Sequence, residues 1–87
     1  MPDSLKTISG RLERTRLALG FPSQEAFART LGYGKGTYNP WETGERRISL
    51  DAAIRLREVH KISLDWTYCG DPSGLPVKVY LAISQAA

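Results

Sequence analysis

The fold turns on one stretch, Ser23 to Gly44, which reads SQEAFARTLGYGKGTYNPWETG. Ser23 suits an N-cap, because its hydroxyl can accept from a backbone N–H that a first helical turn leaves unpaired. Behind it, residues 24–31 read as a short helix with Phe27, Ala28 and Leu31 apolar, and Gly32 ends it. A second turn leads into a segment over residues 34–43 that closes at Gly44 and carries Tyr38 and Trp41 on its apolar side. The spacing has a physical reading. A small residue at Ala28 lets two backbones approach, Gly32 takes a positive-φ turn, and Tyr38 and Trp41 point the following helix inward. Two short helices crossing at a steep angle need this arrangement.

Upstream, residues 4–19 are expected to form one helix. Leu5, Ile8, Leu12 and Leu19 share a face, Arg11, Glu13 and Arg14 lie elsewhere on the surface, and Gly20 closes it. Downstream, Glu45-Arg46-Arg47-Ile48 is a polar loop. Ser49 then caps a helix over Leu50–His60, with Leu50, Ala53, Ile54, Leu56 and Val59 as its apolar stripe and Arg55, Arg57 and Glu58 in solvent. Ser63-Leu64-Asp65 repeats the Ser-Leu-Asp start and opens a short helix through Cys69 that stops at Gly70. The expectation is an all-α domain of five helices over residues 1–70, with connections of a few residues.

The tail, residues 71–87, carries two patterns. Val77, Val79, Leu81 and Ile83 alternate as a strand does, which would require pairing with another subunit. Pro76 equally suits the first position of a helix, with Leu75, Val79 and Ile83 on one face. A helix is the favoured reading, since a lone strand has no partner in this chain. In either form the tail is a candidate dimerisation element.

Composition sets outer bounds. The chain has 87 residues, 41% of them hydrophobic and 24% charged, which suits a single small globule. No apolar run approaches a membrane span, and the first residues lack the apolar block of a secretory signal, so a cytoplasmic location is expected. The lone Cys69 cannot form an internal disulfide, and a single histidine spells out no metal cluster. A net charge of +3 leans weakly towards a polyanionic partner. No cofactor is expected. Catalysis has no support, because the carboxylates are scattered and no glycine-rich phosphate loop follows a strand.

The ordered set of residues resembles the lambda-repressor-like, Cro-type helix-turn-helix family (the XRE group) over residues 8–69. The resemblance is carried by Arg11-Leu12 and Arg16, by Ser23-Gln24-Glu25-Ala26-Phe27-Ala28, and by Leu31-Gly32. It continues through Thr37-Tyr38-Asn39, Trp41-Glu42-Thr43-Gly44-Glu45-Arg46, Ser49-Leu50-Asp51 and Ile62-Ser63-Leu64-Asp65-Trp66. It implies a five-helix fold, a homodimer, and a pseudo-palindromic double-stranded operator of a bacterial cytoplasm and nucleoid. The helix around Lys35–Thr43 would enter the major groove. By position it implies a phosphate contact from Gln24, exposed reading positions at Lys35, Gly36, Asn39 and Pro40, and a backbone contact from Thr37. Thr43 and Arg46, with Arg47, would lie near phosphates. Arg16 and Glu42 match a pair that ties the first helix to the reading helix.

Two departures stand out. Pro40 lacks an N–H and is expected to shorten or bend the reading helix at the carbonyl of Gly36. Gly34 and Gly36 remove two side chains that could read bases, leaving more to DNA shape. These departures and the apolar tail also fit an antitoxin or adaptor that keeps the fold and binds a protein, and a regulatory partner protein is compatible with either case. Tyr38 and Trp41 are expected in the core, Trp66 in the core or at a dimer surface, His60 as a half-buried packing residue, and Cys69 as a buried or half-buried small one.

Overall fold

Hydroxyl caps set where the helices begin. Thr7 accepts from the Gly10 N–H at 3.0 Å, Ser23 from Ala26 at 3.2 Å and Ser49 from Ala52 at 3.2 Å. The computed structural model describes residues 3–85, so the outer ends of the expected segments 1–70 and 71–87 lie outside the described residues. Its elements are a 3₁₀ turn at Asp3–Lys6, α1 (Ile8–Ala18), α2 (Gln24–Thr30), α3 (Lys35–Thr43) and α4 (Leu50–His60). A π-helical turn at Asp65–Cys69, a 3₁₀ turn at Pro72–Gly74 and α5 (Val77–Gln85) follow. Among the described residues there is no strand, and no helix is long and apolar enough to cross a membrane.

The two turns that position α3 use glycine for its left-handed freedom: Gly32 has φ +87° and Gly44 has φ +85°. Ala28 has no exposed surface, so α2 and α3 close on each other over Phe27, Leu31, Tyr38 and Trp41. Leu12, Ile48, Ala52, Leu56, Ile62 and Trp66 complete the same core. Trp66 donates its indole N–H to Thr15 Oγ1 at 2.9 Å, and Thr15 donates onward to the Arg11 carbonyl at 2.6 Å. A buried indole and hydroxyl thereby satisfy each other instead of costing stability.

The tail is helical. Leu75, Val79 and Ile83 join the common core, and α5 packs on α1, while Val77 and Leu81 point away at 73% and 48% exposure. The alternation that suggested a strand therefore falls on two faces of one helix, and no inter-subunit strand forms from it.

Four expectations need correcting. The first helix is not continuous over 4–19: the Thr7 cap starts α1 at Ile8, and the preceding residues turn as 3₁₀. Arg11 is not on the surface but 5% exposed, donating to the carbonyls of Leu5 at 2.9 Å and Tyr68 at 3.0 Å. On α4 the buried side is Ala52, Ala53 and Leu56, while Leu50, Ile54 and Val59 are exposed, because small alanines bring that helix close to the core. Cys69 is exposed, since the π-helical turn directs Trp66 and Thr67 inward and leaves its last residue outside.

His60 closes the far end of α2. Its ring stacks on Phe27 at 5.2 Å and meets Phe21 edge-on at 5.7 Å. Thr30 already donates to the Phe27 carbonyl, so His60 Nε2 is the donor in its 2.9 Å contact with Thr30 Oγ1. Burial pushes the imidazole below its ordinary range. The folded state therefore holds His60 neutral while the unfolded chain binds a proton near pH 6.5. Its contribution is complete above that pH and is lost as pH falls towards the folded value. Urea denaturation of the wild type is expected to weaken below about pH 6.5, with a shallower decline in His60→Gln; equal slopes would contradict this.

Candidate nucleic-acid interface

Glu42 faces inward from the last turn of α3, and its carboxylate accepts from three elements. Arg16 on α1 donates Nε to Oε2 at 2.8 Å and Nη2 to Oε1 at 3.2 Å. Gln24 at the start of α2 donates Nε2 to Oε1 at 3.0 Å, and the Tyr38 hydroxyl donates to Oε2. The Arg16 and Glu42 side chains are only 7% and 2% exposed. Arg16 also donates Nη1 to the carbonyls of Phe21 and Pro22, each at 2.8 Å, so four of its five N–H groups are engaged. Hydrogen bonding to Glu42 holds the guanidinium above its ordinary range, and burial pushes the Tyr38 phenol well up, so Tyr38 stays a neutral donor.

The carboxylate dictates what lies beyond it. A carboxylate only accepts, so Gln24 must turn its nitrogen towards Glu42 and its oxygen away. That oxygen accepts from Asn39 Nδ2 at 2.8 Å, which fixes the amide of Asn39 in turn. What remains free is one N–H on Gln24, with one N–H and Oδ1 on Asn39. The half-exposed carboxamide of Asn39 thus keeps an adjacent donor and acceptor, the pair that matches adenine N6 and N7.

Around this chain α3 presents its outer row. Lys35, Gly36, Thr37 and Thr43 are exposed, and Pro40 is half-exposed. The helix runs from Lys35 to Thr43 with Pro40 inside it, so the proline does not shorten it. The Gly36 carbonyl that loses its donor sits at an exposed residue, where water can serve it. Pro40 instead anchors the loop: its own carbonyl accepts from Arg46 N at 3.1 Å and from the Thr43 hydroxyl at 3.2 Å. Those bonds tie the backbone of Arg46 to the end of α3 while the side chains of Arg46 and Arg47 stay exposed. Gly36, Thr37 and Pro40 share one concave surface with Arg46, Arg47 and Tyr33. Tyr33 was missed in the sequence; its ring meets Trp41 edge-on at 5.2 Å, and its place directly after the turn glycine is the signal that could have found it.

Of the residues singled out from the sequence, Gly36, Thr37, Pro40, Arg46 and Arg47 line the concave surface, Gln24 and Asn39 are joined in the relay, Lys35 and Thr43 are exposed on α3, and Arg16 and Glu42 form the inward ion pair. The arrangement offers cations, amides and hydroxyls, with the Glu42 carboxylate neutralised beneath it and the exposed Glu45 carboxylate beside Arg46 and Arg47 on the concave surface. Among the described residues no cluster of His, Cys, Asp or Glu could hold a metal ion. Removing the carboxylate while keeping the guanidinium should leave a buried charge unpaired. Glu42→Ala is expected to cost about 3–5 kcal/mol in urea denaturation, and a loss below about 1 kcal/mol would show that the pair carries little.

The helix-turn-helix family HTH_3 matches residues 12–67. No curated protein and no solved structure matches significantly. The matched span runs from within α1 into the π-helical turn and contains the whole of α2, α3 and the Arg46–Arg47 loop. The chain belongs to the lambda-repressor-like (XRE) helix-turn-helix family of DNA-binding regulators.

Proposed function

We propose that the chain is a sequence-specific regulator of the Cro-repressor type that lays α3 in the major groove of an operator. The observation that carries this reading is the Glu42–Gln24–Asn39 relay, because it orients an adenine-matching amide before any ligand arrives. Lys35, exposed one turn earlier, suits guanine O6 and N7. Gln24, Thr37, Thr43, Arg46 and Arg47 suit phosphates and would position the helix without reading sequence. Pro40 offers an apolar contact to a thymine methyl. Binding of this kind represses or activates by occupying bacterial chromosomal DNA in the cytoplasm, and repression, which needs only that the site be covered, is the proposed output.

Dimensions support the homodimer within this reading. The longest extent of the described chain is 29 Å, whereas successive major grooves on one side of a duplex lie about 34–36 Å apart. One copy carries one α3 and reads one half-site. The exposed Val77, Tyr80 and Leu81 lie on one side of α5 and suit a second copy around a two-fold axis. Leu81→Glu is expected to leave the monomer folded, with at most the loss of Tm that association supplied, and to convert a dimer to a monomer in sedimentation, with weaker operator binding. A wild type that sediments as a monomer and binds DNA one to one would remove the dimer.

The decisive experiment is selection of duplexes from a randomised pool, followed by salt titration. Lys35→Ala should weaken the selected duplex by roughly 5- to 100-fold and relax base choice at one position; equal losses on selected and random DNA would refute its reading role. Arg46→Ala should weaken all duplexes and flatten the salt dependence by about one unit of slope. No selected duplex at low salt would favour the adaptor or antitoxin reading, for which the apolar face of α5 is the specific support.

A further inference from the structure

Glycines in this chain answer to different demands. Gly20, Gly32, Gly44 and Gly70 have φ between +79° and +91°, where other residues are strained. At Gly74 an added Cβ would lie 3.4 Å from the Ser63 side chain. Gly34 and Gly36 show neither reason. Their φ values are ordinary, and a Cβ at either would meet nothing within 4 Å. Gly34 also leaves α3 without the side-chain cap that Thr7, Ser23 and Ser49 give to α1, α2 and α4. Gly36 sits in the first turn of α3, where glycine weakens a helix relative to alanine. At Gly36, beside Lys35, the free fold thus carries a helix-weakening residue although a Cβ there would meet nothing within 4 Å.

We infer that Gly36 is a clearance residue, at which the bare peptide surface of α3 lets the duplex approach more closely than a side chain would allow. The inference rests on the DNA reading of α3 and assigns a specificity role within it. A side chain at 36 would project into the concave surface shared with Thr37, Pro40, Glu45, Arg46 and Arg47. Arg46 and Arg47 can reach phosphates from beside that surface only if its floor admits the backbone of the nucleic acid. Sequences whose groove edge fits the bare floor are accepted, and a filled floor excludes them by contact. One rival lies within the protein. Gly36 is four residues before Pro40, whose ring crowds the carbonyl at that offset, so glycine could instead be serving the helix.

The two explanations predict opposite signs for one variant. Gly36→Ala in the full chain is followed by thermal denaturation and by anisotropy on a short duplex selected with the wild type from a randomised pool. Clearance predicts that Tm rises by about 2–5 °C while affinity for the selected duplex falls roughly tenfold or more. A lowered Tm would assign the glycine to the helix and overturn the inference. A raised Tm with unchanged affinity would overturn it as well. Failure of the wild type to recover any duplex would sink the underlying reading of α3 instead, which keeps the two failures apart.

Discussion

The molecule is organised around the carboxylate of Glu42, which is almost fully buried and has donors from α1, α2 and its own helix. A buried carboxylate without partners would cost several kcal/mol, so this one specifies where Arg16, Gln24 and Tyr38 must be. The contrast with Glu25 and Arg29 is instructive. That pair has the same 2.8 Å separation, but its side chains are 60% and 75% exposed, and solvent screening leaves it worth at most about 1 kcal/mol. Equal distances therefore mean different things. Only the buried pair constrains how α3 sits on the rest of the fold, and through Gln24 it also decides which end of the Asn39 amide faces outward.

That constraint explains why α3 exists at all. Nine residues containing Gly36 and Pro40 would not hold a helix alone in water, where even good sequences need about 12–15 residues. Burial of Tyr38 and Trp41, edge-on to each other at 5.8 Å, supplies what propensity withholds. The inward face of α3 is over-determined and the outward face is nearly free of internal demands. A surface element of that kind can vary its outer residues with little effect on the fold.

Much of this was legible in the chain itself. Ser23, Gly32 and Gly44 delimit α2 and α3 by cap and turn chemistry, and Tyr38 with Trp41 names the buried side. The pairing of Arg16 with Glu42 came from resemblance, since nothing local to either residue requires the other. What stayed hidden was tertiary. Arg11 looked like a surface cation because its partners are carbonyls of Leu5 and Tyr68, and a carbonyl leaves no mark on residue type. The stripe on α4 was drawn through Leu50, Ile54 and Val59 because hydropathy favours large residues, whereas the closest helix approach buries the alanines. The relay from Gln24 to Asn39 spans 15 residues and joins two amides whose polarity only the carboxylate can set.

Arg11 has a consequence for how the fold comes apart. Its guanidinium is buried with no carboxylate partner among the described residues, held by carbonyls from the segment before α1 and from the π-helical turn, with Nε unpartnered. Burial presses its pKa down, yet an arginine does not discharge near neutral pH, so its only relief is to keep those carbonyls or to reach water. If either segment frays, the cation loses ligands that the other cannot replace. The entry to the first helix and the end of the helix-turn-helix unit, more than fifty residues apart in the chain, are thereby made to melt as one body.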